Sequence, residues 1–447
     1  MKLFAHQERA VRIAHKIPKF IFAWDCGCGK TIGMLAACEA VPMRTIVVCP
    51  KSIMSPAWMR DAANFPAIRT KILAAASKPQ RKANILADDW DIGIVNFDQF
   101  KSERETLARA GVRRLIVDES SKMKNHEAAI TKSLIAFADQ CESVYLLSGT
   151  PAPNNVTEYW AQIRAIRKDL SGDLFWKWAH RYATAKKRRV WQGGSSREVV
   201  EGWSQTEPQR KEFEELLGRC SWSLRKEDAM DLPKQTDVVV RFPLGDEGEH
   251  YERALTSLRI ELGSDPIKIN AEAALMKLRQ ICGGFVIANG NPTKIGNSKL
   301  SVLDETLDQI GPRPCLIWAE FRHEIDAIRG LCESRGETVE YIDGRTSGDA
   351  GDIAERFQSG EVQRLVCHPA AAGHGITLTA ASYAVYYSLG FSYELYKQSR
   401  DRIHRAGQTM PCTYYILTAE ETVDEGCLGC VRNKGTAADA LAAALAV

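Results

Sequence analysis

The chain has 447 residues, of which 45% are hydrophobic and 26% charged, and its 59 Lys and Arg nearly balance 56 Asp and Glu. At roughly 150 residues per domain, this length predicts two or three domains, each large enough for its own core. The composition excludes a disordered or fibrous chain, and the lack of any apolar run near ~18 residues argues against a membrane span or secretion signal.

Short apolar runs, rich in β-branched side chains, recur along the chain and are typical of parallel strands covered by helices on both faces. In the first third they are 20–24 (FIFAW), 45–49 (TIVVC), 92–95 (IGIV), 114–117 (RLIV) and 143–147 (SVYLL). In the last third they are 315–318 (CLIW), 339–342 (VEYI), 364–367 (RLVC), 384–387 (AVYY) and 413–417 (TYYIL). The intervening stretches are long enough for crossover helices, so two α/β lobes are predicted.

The composition changes between the two sets of strands. Residues 156 to about 232 are predicted to be mainly helical, with one hairpin formed by 188–192 and 197–200. Residues 247–287 are predicted to be helical again, and 289–298 to be a loop. We therefore expect a first lobe over 1–155, a helical insertion over 156–235, and a second lobe over 236–447 with its own helical insertion at about 245–297.

A glycine-rich segment, 25–31 (DCGCGKT), follows the first predicted strand and precedes a helical pattern. Such a turn points backbone N–H groups at a phosphate. Lys30 would then reach the β- and γ-phosphates of a nucleotide, and the Thr31 hydroxyl would bind Mg²⁺. The full pattern has a further glycine five residues before Gly29, where this chain has Trp24. Taken alone, the segment leaves a plain glycine turn open.

Two acidic residues, Asp118 and Glu119, follow the predicted strand 114–117. We expect Asp118 to hold the magnesium shell and Glu119 to polarise the attacking water. A solvated acidic turn is the alternative for an isolated Asp-Glu pair, but a phosphate loop in the same predicted sheet favours an ATP site. A third segment, 148–151 (SGTP), follows the next strand, where a loop can sense the state of the nucleotide.

The last third contains a basic segment, 398–408 (QSRDRIHRAGQ). Arg402 and Arg405 are three residues apart and so share one face of a helix. Two guanidinium groups on one face suit the charge of a transferring γ-phosphoryl group, although a solvated basic helix is the alternative. Arginines supplied by a second lobe would make ATP hydrolysis depend on closure of the lobes.

Taken in order, these segments resemble the motifs of superfamily 2 helicase-like ATPases, and specifically the Swi/Snf family of DNA translocases. The similar segments are 3–7 (LFAHQ), 25–31, 45–51 with Trp58, 118–125, 146–151, 224–226 with 232–233, 278–282, 317–321, 343–346, 373–381 and 398–408. The resemblance implies an α/β fold of two RecA-like parallel-sheet lobes with helical insertions. It also implies ATP and Mg²⁺ as cofactors and DNA, with duplex favoured, as the partner.

The resemblance further implies roles for individual residues. ATP would be bound by Gln7, Gly27, Gly29, Lys30, Thr31 and Gln398, and magnesium by Thr31 and Asp118. Catalysis would involve Lys30, Asp118, Glu119, Arg402 and Arg405. DNA would be contacted by Lys51, Ser52, Gly344, Arg345, Thr346 and Thr377. The chain departs from the family at Thr377, where asparagine is usual, and at 391–393 (FSY), a form associated with compact phage and bacterial members.

A second region with the character of a DNA contact lies in the predicted hairpin. Residues 181–226 contain eleven Lys and Arg against six Asp and Glu, a surplus of five positive charges in a nearly neutral chain. Lys187, Arg188 and Arg189 belong to a basic run that ends near Trp191, so phosphates and bases could both be engaged. A solvated charged face is the alternative.

The sequence therefore predicts a monomeric, cytoplasmic, ATP-dependent DNA motor of a bacterial or phage-infected cell. The thirteen cysteines fit a reducing compartment. Two alternatives stay open, an RNA helicase and an ATP-gated DNA-binding module without processive movement. The Swi/Snf-like segments 224–233 and 278–282 argue against the RNA helicase, and the retained catalytic residues argue against the module.

Overall fold

The computed structural model describes residues 2–75, 77–152, 154–192, 195–264, 271–288, 290–346, 350–372 and 376–433, together with residues 440, 441 and 443. The chain divides into two compact units, Met1–Asp231 and Leu232–Val447. Each unit is built around its own parallel sheet. Within the described part of the chain, no helix has the length and apolar character needed to cross a bilayer.

The first unit is organised around a seven-stranded parallel sheet and one antiparallel hairpin. Its strands are β1 Lys19–Trp24, β2 Thr45–Cys49, β3 Thr70–Ile72, β4 Ile92–Asn96, β5 Arg114–Asp118, β6 Ser143–Leu147, β7 Thr184–Gln192, β8 Ser195–Ser204 and β9 Ser221–Leu224. The sheet order is β3-β4-β2-β5-β6-β1-β9, and β7 pairs with β8 as the hairpin. The predicted hairpin is therefore present and longer than expected.

Helices cover both faces of this sheet, because its strands are apolar on both faces. Ile46 and Val48 of β2 pack into one core, and Val47 and Cys49 pack into the other. The helices are α1 Ala5–Lys16, α2 Lys30–Ala40, α3 Arg60–Ala62, α4 Lys78–Leu86, α5 Phe97–Arg109, α6 Ala129–Ala138, α7 Trp160–Ile166, α8 Lys168–Ser171, α9 Phe175–Tyr182, α10 Glu207–Gly218 and α11 Lys226–Ala229. Lys51–Ile53, Ser120–Met123 and Val156–Tyr159 form 3₁₀ turns, and Met54–Met59 forms a π-helix.

The second unit has a six-stranded parallel sheet and a small antiparallel pair. Its strands are β10 Gln235–Phe242, β11 Phe285–Ala288, β12 Asn291–Lys294, β13 Cys315–Trp318, β14 Val339–Ile342, β15 Arg364–Cys367, β16 Tyr383–Tyr386 and β17 Cys412–Ala419. The sheet order is β10-β17-β16-β13-β15-β14, and β11 pairs with β12. Its helices are α12 Glu247–Ser264, α13 Ala271–Cys282, α14 Ser298–Ile310, α15 Arg322–Ser334, α16 Ala350–Ser359, α17 Pro369–Ala372, α18 Tyr393–Arg400 and α19 Val423–Asn433.

The predicted fold class, two parallel-sheet α/β lobes with helical insertions, is confirmed. Two local predictions are wrong. The end of the predicted helical stretch 247–287 contains β11, and the predicted loop 289–298 contains β12. Residues 156–231 belong to the first unit, where β9 adds an edge strand to the sheet next to β1. Edge strands with mixed polar and apolar residues, such as β9, lack the uniform apolar run that reveals a buried strand.

Candidate active site

The glycine-rich segment lies between β1 and α2, as expected for a phosphate loop. Gly27 and Gly29 have φ angles of 86° and 70°, which side-chain-bearing residues rarely adopt. Space is also lacking at Gly29, because a Cβ atom there would lie 2.4 Å from Gln7 Nε2. The loop leads directly into the N-terminus of α2. The unpaired backbone N–H groups at a helix N-terminus favour the binding of an anion.

Lys30, the first residue of α2, turns its side chain back into the loop. Its Nζ atom donates to the carbonyl oxygens of Trp24 at 2.8 Å and Asp25 at 3.2 Å. Burial lowers the pKa of Lys30, but the nearby acidic groups of Cys26, Glu119 and Asp118 raise it on balance. A fixed positive charge thus lies where the loop would receive a phosphate.

Helix α1 braces the phosphate loop through two consecutive side chains. Gln7 is buried, and its Nε2 donates to the Gly29 carbonyl at 3.2 Å while its Oε1 accepts from the Phe4 N–H at 3.0 Å. The imidazole Nε2 of His6 lies 2.8 Å from the Cys28 carbonyl oxygen. The sequence placed Gln7 in the ATP site, and the structure places it in contact with the loop.

Asp118 is the last residue of β5, and Glu119 follows it. Both lie at the same sheet edge as the phosphate loop, because β5, β6 and β1 are neighbouring parallel strands. Asp118 is only 6% exposed. Its Oδ2 accepts from the indole Nε1 of Trp58 at 2.9 Å and its Oδ1 from the Glu119 N–H at 3.0 Å. Burial raises the pKa of Asp118, although Lys30 and Trp58 both oppose that rise. A bound divalent cation would favour the ionised carboxylate.

Glu119 has a left-handed backbone conformation, with φ 58° and ψ 55°. For a residue other than glycine this geometry costs about 1–3 kcal/mol and is concentrated at active sites. Glu119 lies between the end of β5 and the 3₁₀ turn Ser120–Met123, which begins at the next residue. The chain therefore leaves the direction of β5 at Glu119.

The segment after β6, 148–151, packs on the phosphate loop. A Cβ atom at Gly149 would lie 3.1 Å from Cys26 Sγ and 3.4 Å from its backbone nitrogen. Gln162 of α7, which is fully buried, accepts from the Ser120 hydroxyl at 2.8 Å and donates to the Pro151 carbonyl at 2.7 Å. Gln162 therefore links the loop after β5 to the loop after β6. Sequence reasoning missed it, because one amide in an apolar helix carries no signal of its partners.

Two further contacts join the phosphate loop to the segment 224–226. The Asp25 N–H donates to the Leu224 carbonyl at 2.9 Å, and the Lys226 N–H donates to Asp25 Oδ2 at 3.1 Å. Sequence reasoning assigned this segment to a helical insertion, from its composition and from the family resemblance. The structure gives it a direct contact with the candidate ATP site.

Trp58 reaches Asp118 from an unusual element, the π-helix Met54–Met59, which follows Lys51 by three residues. The indole is fully buried. π-Helical turns are rare and occur frequently at functional sites. The sequence identified Trp58 through resemblance, but its hydrogen bond to Asp118 is visible only in the structure.

Both predicted arginines of the second unit donate to one carbonyl oxygen. Arg402 is buried, and its Nε and Nη1 donate to the carbonyl oxygens of Gln398 at 3.0 Å and Ile376 at 3.1 Å. Arg405 is half-buried and donates to the same Ile376 carbonyl at 3.3 Å. Gln398 is buried and donates weakly to Glu394 at 3.4 Å. Arg402 and Arg405 thus share one acceptor, but the prediction that they lie on one face of a helix is wrong, because α18 ends at Arg400 and both residues lie in the turns that follow it.

The predicted DNA contacts in the second unit differ in how their side chains are engaged. Arg345 is exposed, yet its guanidinium donates to Asp343 at 2.7 and 2.9 Å and to Asp326 at 2.9 Å through two nitrogens. The Thr346 hydroxyl accepts from the Asp343 N–H at 2.9 Å. Gly344 is exposed and Thr377 is half-buried. The Arg345 side chain is thus engaged by Asp343 and Asp326, and the turn presents exposed backbone at Gly344.

In the first unit, Lys51 and Arg189 are exposed, and Lys187 is exposed and pairs with Glu198 at 3.1 Å. The side chains of Ser52 and Arg188 lie outside the described part of the structure. The structure brings Lys187 and Arg189 together on β7, and it places Lys51 in a separate 3₁₀ turn after β2.

The donors in the first unit fit ATP with magnesium. Mg²⁺ takes oxygen ligands, commonly one or two from the protein and the rest from phosphates and water. The buried Asp118 carboxylate and the Thr31 hydroxyl at the second position of α2 match that requirement. Among the described residues there is no group of three or more His, Cys, Asp or Glu that could hold a metal without such help.

Two family models match the chain. The SNF2-related domain matches residues 6–284, which is more than half of the sequence, and the Helicase conserved C-terminal domain matches residues 298–407. The chain belongs to the SNF2-related family. Its two domains are those of a helicase-like, DNA-dependent ATPase that uses ATP, so the predicted resemblance to Swi/Snf ATPases is confirmed.

Relatives of this SNF2-related protein include ISWI chromatin-remodeling complex ATPase CHR17 of Arabidopsis thaliana, 25% identical over 433 residues, which covers 90% of this chain and 38% of the relative. Putative protein p41 of Acyrthosiphon pisum secondary endosymbiont phage 1 is 24% identical over 428 residues, 89% of each chain. Among solved structures, the Sulfolobus solfataricus SWI2/SNF2 ATPase core in complex with dsDNA matches with a TM-score of 0.46 and 20% identity, covering 95% of this chain and 90% of that one. The chain spans about two fifths of the plant remodelling ATPase.

Proposed function

We propose that this SNF2-related ATPase is a DNA translocase that hydrolyses ATP to move along double-stranded DNA. The observation that carries the proposal is the division of the candidate catalytic residues between two compact units. Lys30, Thr31, Asp118 and Glu119 belong to the first unit, and Gln398, Arg402 and Arg405 to the second. A reaction that uses residues of both units ties each hydrolysis event to a rearrangement of the units, which is the requirement for a motor.

In this proposal the first unit binds the nucleotide and prepares the water. The glycine-rich loop and Lys30 bind the phosphates, while Thr31 and Asp118 hold Mg²⁺, whose charge, when it is bound, offsets that of the phosphate oxygens. Glu119 orients the attacking water and accepts its proton. The hydrogen bonds from Trp58 and from the Glu119 N–H keep the Asp118 carboxylate in one orientation.

The second unit supplies positive charge to the transferring phosphoryl group. Of the two candidate arginines, the half-buried Arg405 is better suited to this role than Arg402. The buried guanidinium of Arg402 is held by the carbonyls of Gln398 and Ile376. Arg402 then serves to position the segment that carries Arg405.

Movement along duplex needs alternating grips on phosphates, not separation of the strands. Strand separation would have to break stacking worth about 1.4 kcal/mol per base-pair step. Lys51 and the Gly344–Thr346 turn are the grips proposed for the first and second units. We further propose that the protein acts as a monomer in the cytoplasm, and the phage relative, matched over 89% of its length, supports a bacterial or phage-infected cell.

A triplex-displacement assay tests the proposal. A third strand bound in the major groove of a blunt duplex should be released by the protein with ATP, and Glu119→Gln should not release it. ATPase activity should also rise more with blunt duplex than with single-stranded DNA or RNA of equal length. Rapid unwinding of a forked duplex or of RNA without triplex displacement would show a helicase, and DNA binding without displacement would show an ATP-gated module.

A further inference from the structure

Three aromatic rings lie together on the surface of the first unit, where α9 meets the β7–β8 hairpin. Trp176, His180 and Trp203, called the aromatic cluster below, have ring centroids 5.5–6.2 Å apart. The Trp176 and His180 rings are nearly parallel, at 29°. Trp176 is 52% exposed, His180 is exposed and Trp203 is half-buried. The cluster therefore presents aromatic surface to solvent.

This exposure is not needed to hold α9 in place. Trp176 and His180 are four residues apart and share one face of the helix. The other face supplies Trp178, Ala179 and Tyr182, which are all buried. An exposed tryptophan beside other rings leaves apolar surface in water, and grouped exposure of this kind marks a binding site.

The aromatic cluster has a rigid backing. Phe175 contacts Trp176 at 5.2 Å and Trp203 at 6.5 Å between ring centroids, in both cases edge to face. Phe175 itself stacks on His126 at 3.6 Å with the rings 11° from parallel. The positions of the exposed rings are thus set before any ligand arrives, which lowers the entropy cost of binding.

The charges on α9 and on the hairpin, the two elements that carry the aromatic cluster, favour a polyanion over an apolar peptide or a lipid. Lys177 on α9 and Lys186 and Arg189 on β7 are exposed, and Lys187 is exposed beside Glu198. The stretch 181–226 carries a surplus of five positive charges. Lys and Arg beside exposed aromatic rings are the combination that engages the phosphates and bases of a nucleic-acid strand together.

We propose that the aromatic cluster stacks an unpaired nucleobase of a DNA strand whose phosphates lie on the β7–β8 hairpin. Bases inside a duplex are already stacked on each other, so the site selects single-stranded segments, such as an overhang beside the duplex. Stacking accepts every base, because each has a π-face. The inference takes DNA as the partner from the proposed function. It adds a preference for duplex DNA that carries an unpaired strand.

The test compares three substrates by fluorescence anisotropy without nucleotide: a blunt duplex, the same duplex with a thymidine overhang, and the same duplex with an abasic overhang. The abasic overhang keeps the phosphates and removes the bases. Wild-type protein should bind the thymidine overhang about 5- to 150-fold more tightly than the abasic one, equivalent to ~1–3 kcal/mol. Trp176→Ala should lose this difference, and Trp176→Phe should retain part of it.

Leu174→Ala is the matched control, because Leu174 is a large exposed apolar residue two positions from Trp176. It should keep the preference for the thymidine overhang. Equal wild-type affinity for thymidine and abasic overhangs, or an undiminished preference in Trp176→Ala, would overturn the inference. Triplex displacement on blunt duplex is scored separately, so a failure of the proposed function and a failure of this site give different results.

Discussion

Asp118 of the first unit and two buried ion pairs of the second unit have contrasting surroundings. In the first unit, Asp118 accepts hydrogen bonds from neutral donors, the indole of Trp58 and the backbone N–H of Glu119. The charge of Lys30 acts on Asp118, but its ammonium donates to two backbone carbonyls. In the second unit, Lys299 pairs with Asp424, and Arg364 pairs with Glu337 at 2.7 Å. A carboxylate held by neutral donors gains when a cation binds, whereas one already paired with Lys or Arg gains little.

This difference indicates different roles for the two units, although both are built on a parallel sheet. The first unit concentrates reactive groups at the carboxyl edge of its sheet, including the strained Glu119. In the second unit, Lys299 and Arg364 hold elements of that unit together, and the buried Arg402 likewise binds carbonyl oxygens of its own unit. The following substitutions test this division, starting with the largest expected effect.

Glu119→Gln should lower DNA-stimulated ATP turnover by ~10²–10⁴-fold while nucleotide and DNA binding persist, because the amide cannot accept the proton of water. Steady-state phosphate release and the affinity for a fluorescent ATP analogue measure the two properties. Glu105→Gln, at an exposed position on α5, should behave as wild type. Turnover near the wild-type rate in Glu119→Gln would move the base to another residue.

Trp58→Phe should weaken the contribution of Mg²⁺ to ADP binding by about 10- to 150-fold, since a hydrogen bond to a charged group contributes ~1.5–3 kcal/mol. Calorimetric ADP affinities in Mg²⁺ and in EDTA isolate this contribution. Trp90→Phe is the control, because Trp90 is also fully buried and donates to a backbone carbonyl, that of Asn84, at 3.1 Å. An equal effect in both variants would show that Trp58 acts only through packing.

How far the sequence predicts this site depends on the kind of residue. Strands with apolar residues on both faces, such as β2 and β5, are predicted to within one residue, and the acidic pair that ends β5 is visible beside them. The contacts of Trp58 with Asp118 and of Gln162 with Ser120 join segments 60 and 42 residues apart. Such contacts depend on tertiary packing, which no local pattern records.

Glu324→Gln probes a buried charge of the second unit. Burial raises the pKa of Glu324 to about 7, although Lys299, Ser388 and Arg279 lower it. A carboxyl whose folded pKa exceeds its unfolded value of about 4.3 stabilises below that value and loses this contribution as pH rises to 7. From pH 5 to pH 8, Glu324→Gln should therefore gain up to about 3 kcal/mol of stability relative to wild type.

Thermal unfolding at both pH values measures this gain. Glu305→Gln, at an exposed position on α14, is the matched control. A stability difference between Glu324→Gln and wild type that stays constant from pH 5 to pH 8 would contradict the assignment of a raised pKa to Glu324.

Neutralising the basic run at Lys186, Lys187, Arg188 and Arg189 gives the smallest expected effect. Each lost phosphate contact should reduce the slope of log K against log salt by ~0.9 on duplex. Because Lys187 already pairs with Glu198, its share should be the smaller one. Salt titrations of duplex binding measure the slope, and an unchanged slope would mean that the run is a solvated face.

The division of labour between the units is tested most directly by comparing Lys30→Ala with Arg405→Ala in one pair of assays, ATP-analogue binding and single-turnover hydrolysis on duplex DNA. Lys30→Ala should weaken nucleotide binding itself. Arg405→Ala should bind the nucleotide as wild type does and hydrolyse it ~10³-fold more slowly, since its charge acts on the transferring phosphoryl group. Normal hydrolysis by Arg405→Ala, or a loss of nucleotide affinity equal to that of Lys30→Ala, would contradict the account.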